Sequence, residues 1–380
     1  LIFFFFFLDH SACYSCKVST TYAGQADALW QFLNDLWLYH HNTLSWMQIL
    51  PAGEPPPARA GHSAILDVVS QALFIYGGQS CTTFYDDIWI FRFQERSWSL
   101  LTQSGPGGRT GHSAIWDSRL AAMLVFGGVG DEGQNNELWR FRLESNSWVQ
   151  SFPDGAIPEA RSEHTAVWDA FSESMLMFGG WSWESHSPLQ DLWSYDTWQG
   201  IWTPLAMAPQ SRAGHVAVWD NVSMSMLVHG GTHLESTGYE KETWNYSLLL
   251  DKWTHLSLFL PNYGPDAKDH SAAWDSSSRS MFILGGLKST GEDSNEFWRY
   301  LGSQTTEMLL GECILGQQCV VRASLPTFDE GDRIAIAKSC SSEELPASFY
   351  MEYSNATNSS NFAFELNDTS MSFFAEPGKD

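Results

Sequence analysis

The stretch Gly111-His112-Ser113-Ala114-Ile115-Trp116-Asp117 decides how this chain is read. It is followed by Met123-Leu124-Val125-Phe126-Gly127-Gly128, by Glu137-Leu138-Trp139-Arg140-Phe141 and by Ser147-Trp148. The same phrase opens on His10, His62, His112, His164, His215 and His270, at intervals of 52, 50, 52, 51 and 55 residues. A period near fifty residues is the signature of stacked units, each too small to bury its own apolar faces.

Spacing within the period assigns the elements. From His to the first Gly of the Gly-Gly pair is 15 residues in repeats two to six (62 to 77, 112 to 127, 164 to 179, 215 to 230, 270 to 285). From the first Trp to the second is 9 residues in repeats one to five (37/46, 89/98, 139/148, 193/202, 244/253). Runs such as Met175-Leu176-Met177-Phe178 are short, apolar and bounded by Gly, Asp or Ser, which predicts buried strands of about five residues. Four such strands fit one period, and radial packing about an axis buries their faces while leaving short edges. The Gly-Gly pair is expected to end the second strand, where a Cβ would crowd a neighbour or forbid positive φ. Asp67, Asp117, Asp169, Asp220 and Asp275 fall between strands one and two, where a carboxylate accepts local backbone N–H groups. The Trp pairs read as plugs between sheets. The histidines read as fixtures hydrogen-bonded between units, because equivalent residues around an axis sit too far apart to converge on one ion.

The Arg-x-Gly-His-Ser-Ala start (Arg59, Arg109, Arg212, with Arg161 in a variant), the Gly-Gly pair and the two spaced Trp resemble kelch repeats over residues 9 to 302. The resemblance implies an all-β, six-bladed kelch-type β-propeller, assigned to residues 1–310, and does not by itself imply an activity. Repeat one departs with Ala23-Gly24, and repeat six with Ala267 for the Arg and Glu307 for the second Trp. The outer strand of the last unit is expected from residues 304–310. Only Leu8 and Asp9 separate the Phe3–Phe7 run from His10, too few to cross a sheet roughly 14 Å wide.

Length variation points to a face. Intervals from the first position of the Gly-Gly pair (Ala23 in repeat one) to Trp run 14, 12, 12, 14, 14 and 13, and Trp-to-His intervals run 16, 14, 16, 13 and 17, whereas the other two turns are constant. In an up-and-down sheet both variable loops emerge on one side, where repeat proteins bind. Trp30, Trp181 and Trp183 fall in these loops, and Trp181-Ser182-Trp183-Glu184-Ser185-His186 is the most distinctive segment. Trp30, Trp181, Trp183, Glu184 and His186 are therefore the candidate ligand-binding residues, as platforms for a protein hot spot or a sugar ring. The competing reading folds these aromatics onto the next unit.

The net charge of −24 argues against a nucleic acid partner and suits a basic protein patch or calcium. Asp131-Glu132 and Glu292-Asp293 read as solvated loop charges. Cys13-Tyr14-Ser15-Cys16 falls on the first expected hairpin, not at the helix start a redox motif needs. Some kelch-fold oxidases use a Tyr–Cys copper site. Cys81 and Tyr85 share a variable loop, but no supporting Tyr/His set accompanies them. No catalytic residue, metal site or cofactor is assigned. Sequons at Asn221, Asn245, Asn355, Asn358 and Asn367 favour a secreted, extracellular or cell-surface glycoprotein, with a cytoplasmic setting as the alternative. The longest apolar run, Leu1 to Leu8, is far below the ~18 residues of a membrane span. The opening Leu1 sets the expectation of a fragment or processed chain.

After Tyr300 the pattern breaks. Period-two runs at 319–323, 333–337, 349–353 and 362–366 predict a small β-sandwich over residues 311–380, cut short at Asp380 and stapled by Cys313–Cys319 or a pair to Cys340. The resulting expectation is a non-enzymatic protein-binding scaffold. A carbohydrate-binding propeller is the alternative, and a copper oxidase a third reading.

Overall fold

In the computed structural model of the chain, the structure describes residues 32–40, 43, 45–102, 105–233, 238–256, 265, 267–294 and 296–301. Beyond these it describes backbone strands at 307–309, 319–324, 333–336, 349–352, 362–367 and 370–375. All described regular structure is strand. Repeat two forms one antiparallel sheet in sequence order, Ser63–Asp67, Ala72–Tyr76, Ile88–Arg92 and Ser97–Thr102. Repeats three, four and five do the same, beginning at Ser113–Asp117, Thr165–Asp169 and Val216–Asp220. Repeat six contributes Ser271–Asp275, Ser280–Leu284 and Phe297–Leu301, and repeat one the hairpin Leu36–His40 with Ser45–Ile49. The first strands of repeats two to six lie side by side in succession, so each sheet presents its inner edge to a common axis.

A strand does fall at Glu307–Leu309, but its hydrogen-bonded neighbour is Cys319–Ser324, and the sixth sheet holds three strands among the described residues. The Phe3–Phe7 run, Trp30 and Cys13–Cys16 lie outside the described residues. The four period-two runs near the C-terminus each contain a strand. Cys319–Ser324, Phe362–Asn367 and Ser370–Ala375 join one sheet, and Arg333–Ile336 pairs with Phe349–Glu352.

In repeats two to five each second strand, such as Ala72–Tyr76, is buried at every position because sheets cover both of its faces. The expected Asp turns are present. Asp67, Asp117, Asp169, Asp220 and Asp275 each accept the backbone N–H two residues on at 3.0–3.1 Å. Between sheets, the second Trp of one repeat packs on the aromatic that ends strand two of the repeat before. The ring pairs are Trp148 on Tyr76 (4.8 Å), Trp202 on Phe126 (5.2 Å) and Trp253 on Phe178 (5.0 Å). Leu36, Leu38 and Ile49 of the first hairpin pack with Leu73, Ile75 and Phe91 of repeat two. On its other side Tyr39 meets Phe297 at 4.6 Å and Phe282 at 5.9 Å in repeat six.

A buried guanidinium clasps each regular repeat. Arg59, Arg109, Arg161 and Arg212 are at most 2% exposed. Each donates Nη1–H to the carbonyl of the first Gly 18 residues on, at 2.8–3.1 Å (Gly77, Gly127, Gly179, Gly230). Each also pairs with a carboxylate at the start of strand three: Asp87, Glu137, Asp191 and Glu242. That carboxylate accepts the indole N–H of the Trp two residues later, at 2.6–3.0 Å in Trp89, Trp139, Trp193 and Trp244. In repeat six, where Ala267 replaces the Arg, Lys288 Nζ takes over at 2.6 Å from Glu296, which still holds Trp298. Burial alone would raise Asp191, but the two-pronged Arg161 contact holds it below the usual carboxylate range. Replacing Arg161 by Met strands the Gly179 carbonyl and the Asp191 carboxylate. The expected loss is about 3 kcal/mol, read by urea denaturation.

The histidines join neighbouring repeats. His112 Nε2 meets Ser63 Oγ at 3.0 Å, and His164 meets Ser113 and His215 meets Thr165 at 2.8 Å. Burial, with the nearby Arg cation second, pushes His62, His112 and His215 down to about 3. Burial holds His270 at about 4 and keeps His164 and His229 well below the ordinary value. The unfolded chain therefore binds more protons below about pH 6.5, and each imidazole removes about 1.4 kcal/mol per pH unit as pH falls. Glu163, raised to about 7, opposes this, and Asp269, also raised by burial, acts in the same sense. Six against two leaves a net loss. The urea midpoint is expected to fall markedly between pH 7.5 and 5.5, and a flat profile contradicts the neutral imidazoles.

The seam between repeats five and six is the irregular one. His229 stands where Tyr76, Phe126 and Phe178 end their strands, and Val216 where Ser63, Ser113 and Thr165 supply a hydroxyl. His229 meets His270 edge-on at 5.7 Å, and His229 Nδ1 bonds Thr243 Oγ1 at 2.9 Å. The double change His229→Phe with Thr243→Leu restores the pattern of the other repeats. It is expected to stabilise the chain by about 1 kcal/mol, as a rise in melting temperature.

Candidate functional site

The first strands begin at a collar of backbone hydrogen bonds around the axis. The N–H of Gly111 reaches the carbonyl of Gly61 (3.0 Å), Glu163 reaches Gly111 (2.8 Å), Gly214 reaches Glu163 (3.0 Å) and Asp269 reaches Gly214 (2.8 Å). Each collar residue precedes the repeat histidine and holds φ between +55° and +65°. That conformation favours glycine, yet Glu163 and Asp269 stand in two of the five places.

Above the collar opens a cavity of about 460 Å³, a size typical of ligand sites. Its wall comes from the collar and its histidines, from Gln79 and Phe84, from Val129 and Gly130, and from Trp183. The last three groups belong to the variable loops between strands two and three. Of the two acidic side chains, Asp269 has a cationic partner beside it. Lys268 Nζ lies 3.3 Å from Asp269 Oδ2, and the Asp269 side chain is 15% exposed. Burial raises Asp269 above the ordinary carboxylate range against the pull of Lys268. Burial, then the charge of Asp269, pushes Glu163 up to about 7.

Of the candidate residues, Trp183 lines the cavity. Its ring is partly exposed and leans over Gly133 of the preceding repeat. Its backbone N–H is held by Gln134 Oε1 at 2.7 Å, and Gln134 also donates to Ser162 Oγ and to the Trp181 carbonyl. Trp181 lies in the ladder Trp181–Ser182 with Ser187–Pro188, while Glu184 and His186 sit exposed at its tip, His186 at φ +50°. Trp30 lies outside the described residues. Glu163, Asp269 and Phe84 are absent from the candidates read from sequence. The signal for the first two is visible as an acid where Arg-x-Gly-His has Gly. The carboxylates of the clasp show as an acid two residues before the first Trp in all six repeats: Asp35, Asp87, Glu137, Asp191, Glu242 and Glu296.

Exposed apolar side chains occur at both ends. Leu50, Phe152, Ile157 and Met207 lie in the variable loops that lead from strand four to the next repeat, and Val69, Phe171, Val222, Trp198, Leu249 and Leu250 in the constant-length turns at the other end. Among the described residues no group of three or more His, Cys, Asp or Glu side chains is arranged to hold a metal ion, and no helix is long and apolar enough to cross a membrane. Cys81 is an exposed free thiol.

The KLHDC2/KLHL20/DRC7 Kelch-repeats domain matches residues 9–208, and the Attractin/LZTR1 beta-propeller matches residues 130–307. The chain is similar to acyl-CoA-binding domain-containing protein 5 of Arabidopsis thaliana, 37% identical over 82 residues, covering 22% of this chain and 12% of that protein. It is similar to acyl-CoA-binding domain-containing protein 4 of the same plant, 34% identical over 89 residues, covering 23% and 13%. It is similar to the Rab9 effector protein with kelch motifs of Xenopus laevis, 37% identical over 54 residues, covering 14% of each. These matches span 12–14% of the relatives' lengths. The Kelch-repeats domain match over residues 9–208 takes in more than half the chain and falls on the repeats described above: the chain belongs to the kelch-repeat β-propeller family, in its KLHDC2/KLHL20/DRC7 Kelch-repeats group.

Proposed function

We propose that this chain is a non-enzymatic protein-binding scaffold whose ligand sits on the variable-loop face, over the axial cavity. The observation that carries the reading is the cavity wall itself, where loops of varied length meet a collar made rigid by backbone hydrogen bonds. Varied loops on a fixed frame are how repeat proteins present binding surfaces. A closed six-bladed ring belongs to the same proposal, supported by the first hairpin touching both repeat two and repeat six, as does the division at residues 310 and 311. So does an extracellular or cell-surface setting, which the charge of −24 and the exposed turn position of the Asn221 sequon support. Asn245, in the third strand of its sheet between two neighbours, is a poorer acceptor.

The carbohydrate reading keeps one observation in its favour, the partly exposed Trp183 ring beside carboxylates. Two paired variants separate the outcomes. Trp183→Ala with Phe84→Ala strips the cavity rim, and Val69→Ser with Phe171→Ser strips the opposite turns. Quantitative co-purification is expected to lose its protein partners at least tenfold with the first pair and keep them with the second. The reverse pattern overturns the proposal. Glycan-array binding abolished by the first pair, with no protein partner, replaces it with the carbohydrate reading.

A further inference from the structure

The collar does not need its acids. Gly61, Gly111 and Gly214 make the same turn with no side chain, whereas Glu163 and Asp269 hold a φ that side chains rarely adopt. Both open onto the cavity. Asp269 has Lys268 as partner at 3.3 Å, and among the described residues the Glu163 carboxylate has neither a hydrogen bond nor an ion pair. A second, independent feature sits in the same wall. His270 is 6% exposed, and among the described residues neither of its ring nitrogens has a side-chain hydrogen-bond partner, since Val216 replaces the hydroxyl that its counterparts use. Trp183 and Phe84 add aromatic surface. The wall thus offers acceptors and π-faces with too few cations to match. The four buried arginines are already committed to Gly carbonyls and clasp carboxylates.

We propose that the axial cavity is a cation-binding site that takes the side chain of a Lys or Arg from a protein partner. The proposal rests on the variable-face reading above and names the chemistry of that ligand. An ammonium or guanidinium group donates to the Glu163 and Asp269 carboxylates and lies against the Trp183 ring. Its charge adds to that of Lys268 in offsetting the two carboxylates, of which Glu163 is pushed up to about 7 by burial and then by the charge of Asp269. The overall charge of −24 draws basic segments to the mouth.

The test is selection of a displayed library of linear seven-residue peptides on the immobilised chain and on three variants. Glu163→Gly with Asp269→Gly restores the collar's own residue, so it should fold with a melting temperature at or above the parent's. Glu163→Gln with Asp269→Asn removes the charges and keeps the shape. Trp183→Ala with Phe84→Ala strips the rim. The expected result is enrichment of peptides carrying Lys or Arg on the parent, with retention falling at least tenfold on both carboxylate variants. Enrichment without a basic residue, no enrichment, or basic peptides held equally by both carboxylate variants overturns the proposal. Acidic or apolar peptides lost only on the rim variant overturn it while leaving the variable-face reading intact. Peptides indifferent to every variant overturn both.

Discussion

The buried guanidinium of Arg59, Arg109, Arg161 and Arg212 is the interaction on which the rest depends. Moving a full charge out of water costs several kcal/mol, which is offset only if its five donors are satisfied and a counter-charge is close. The repeat meets both conditions with groups from three places in one sheet: the Gly carbonyl after strand two, the carboxylate before strand three, and backbone carbonyls next to the Arg itself, such as Pro57 for Arg59 and Glu159 for Arg161. One side chain therefore sets where strand two ends and where strand three begins. The next repeat closes over it. In repeats two to four the second Gly of the pair donates its N–H to the carbonyl of the following repeat's Arg, as Gly78 does to Arg109 at 2.8 Å. A Cβ on Gly77 would lie 2.8 Å from that same carbonyl oxygen, so the pair must be glycine for neighbouring sheets to approach.

Because the clasp fixes each unit and the hydroxyl–histidine bond fixes each seam, irregularity concentrates where both devices lapse. That place is repeat six. Its Arg is Ala267, its second Trp is Glu307, and its histidine faces Val216 and His229 rather than a hydroxyl and an aromatic ring. Lys288 rescues the carboxylate, yet a single flexible ammonium cannot reproduce the fork of an Arg. The departures occur together because each part of the seam has shape only in relation to the others.

Much of this frame was legible in the sequence because it repeats. Period, strand length, the Asp turns and the interlocking histidines follow from residues that recur at fixed offsets. The clasp carboxylates recurred equally, but a repeated acid near a Trp reads as surface until the Arg is placed beside it. What repetition cannot show is the meaning of an exception. Glu163 and Asp269 are each a single change within one repeat. Only the fold brings them to one cavity, across residues more than a hundred positions apart in the chain. Loop spacing indicated the face, whereas the loop segment of Trp181 to His186 delivered one residue, Trp183, to the cavity, because its hairpin turns Glu184 and His186 outward.

The two ends of the molecule thus differ in kind: constant turns pinned by Asp residues at one end, and varied loops around an acid-lined mouth at the other. The most direct measurement is site-specific photocrosslinking in cells that express the chain, with benzoylphenylalanine placed at Gln79 or Ser185 on the variable face and at Ser118 or Ser276 in the constant turns. The account predicts a discrete crosslinked partner from Gln79 and Ser185 and none from the turn positions. A partner captured from Ser118 or Ser276 alone would contradict it.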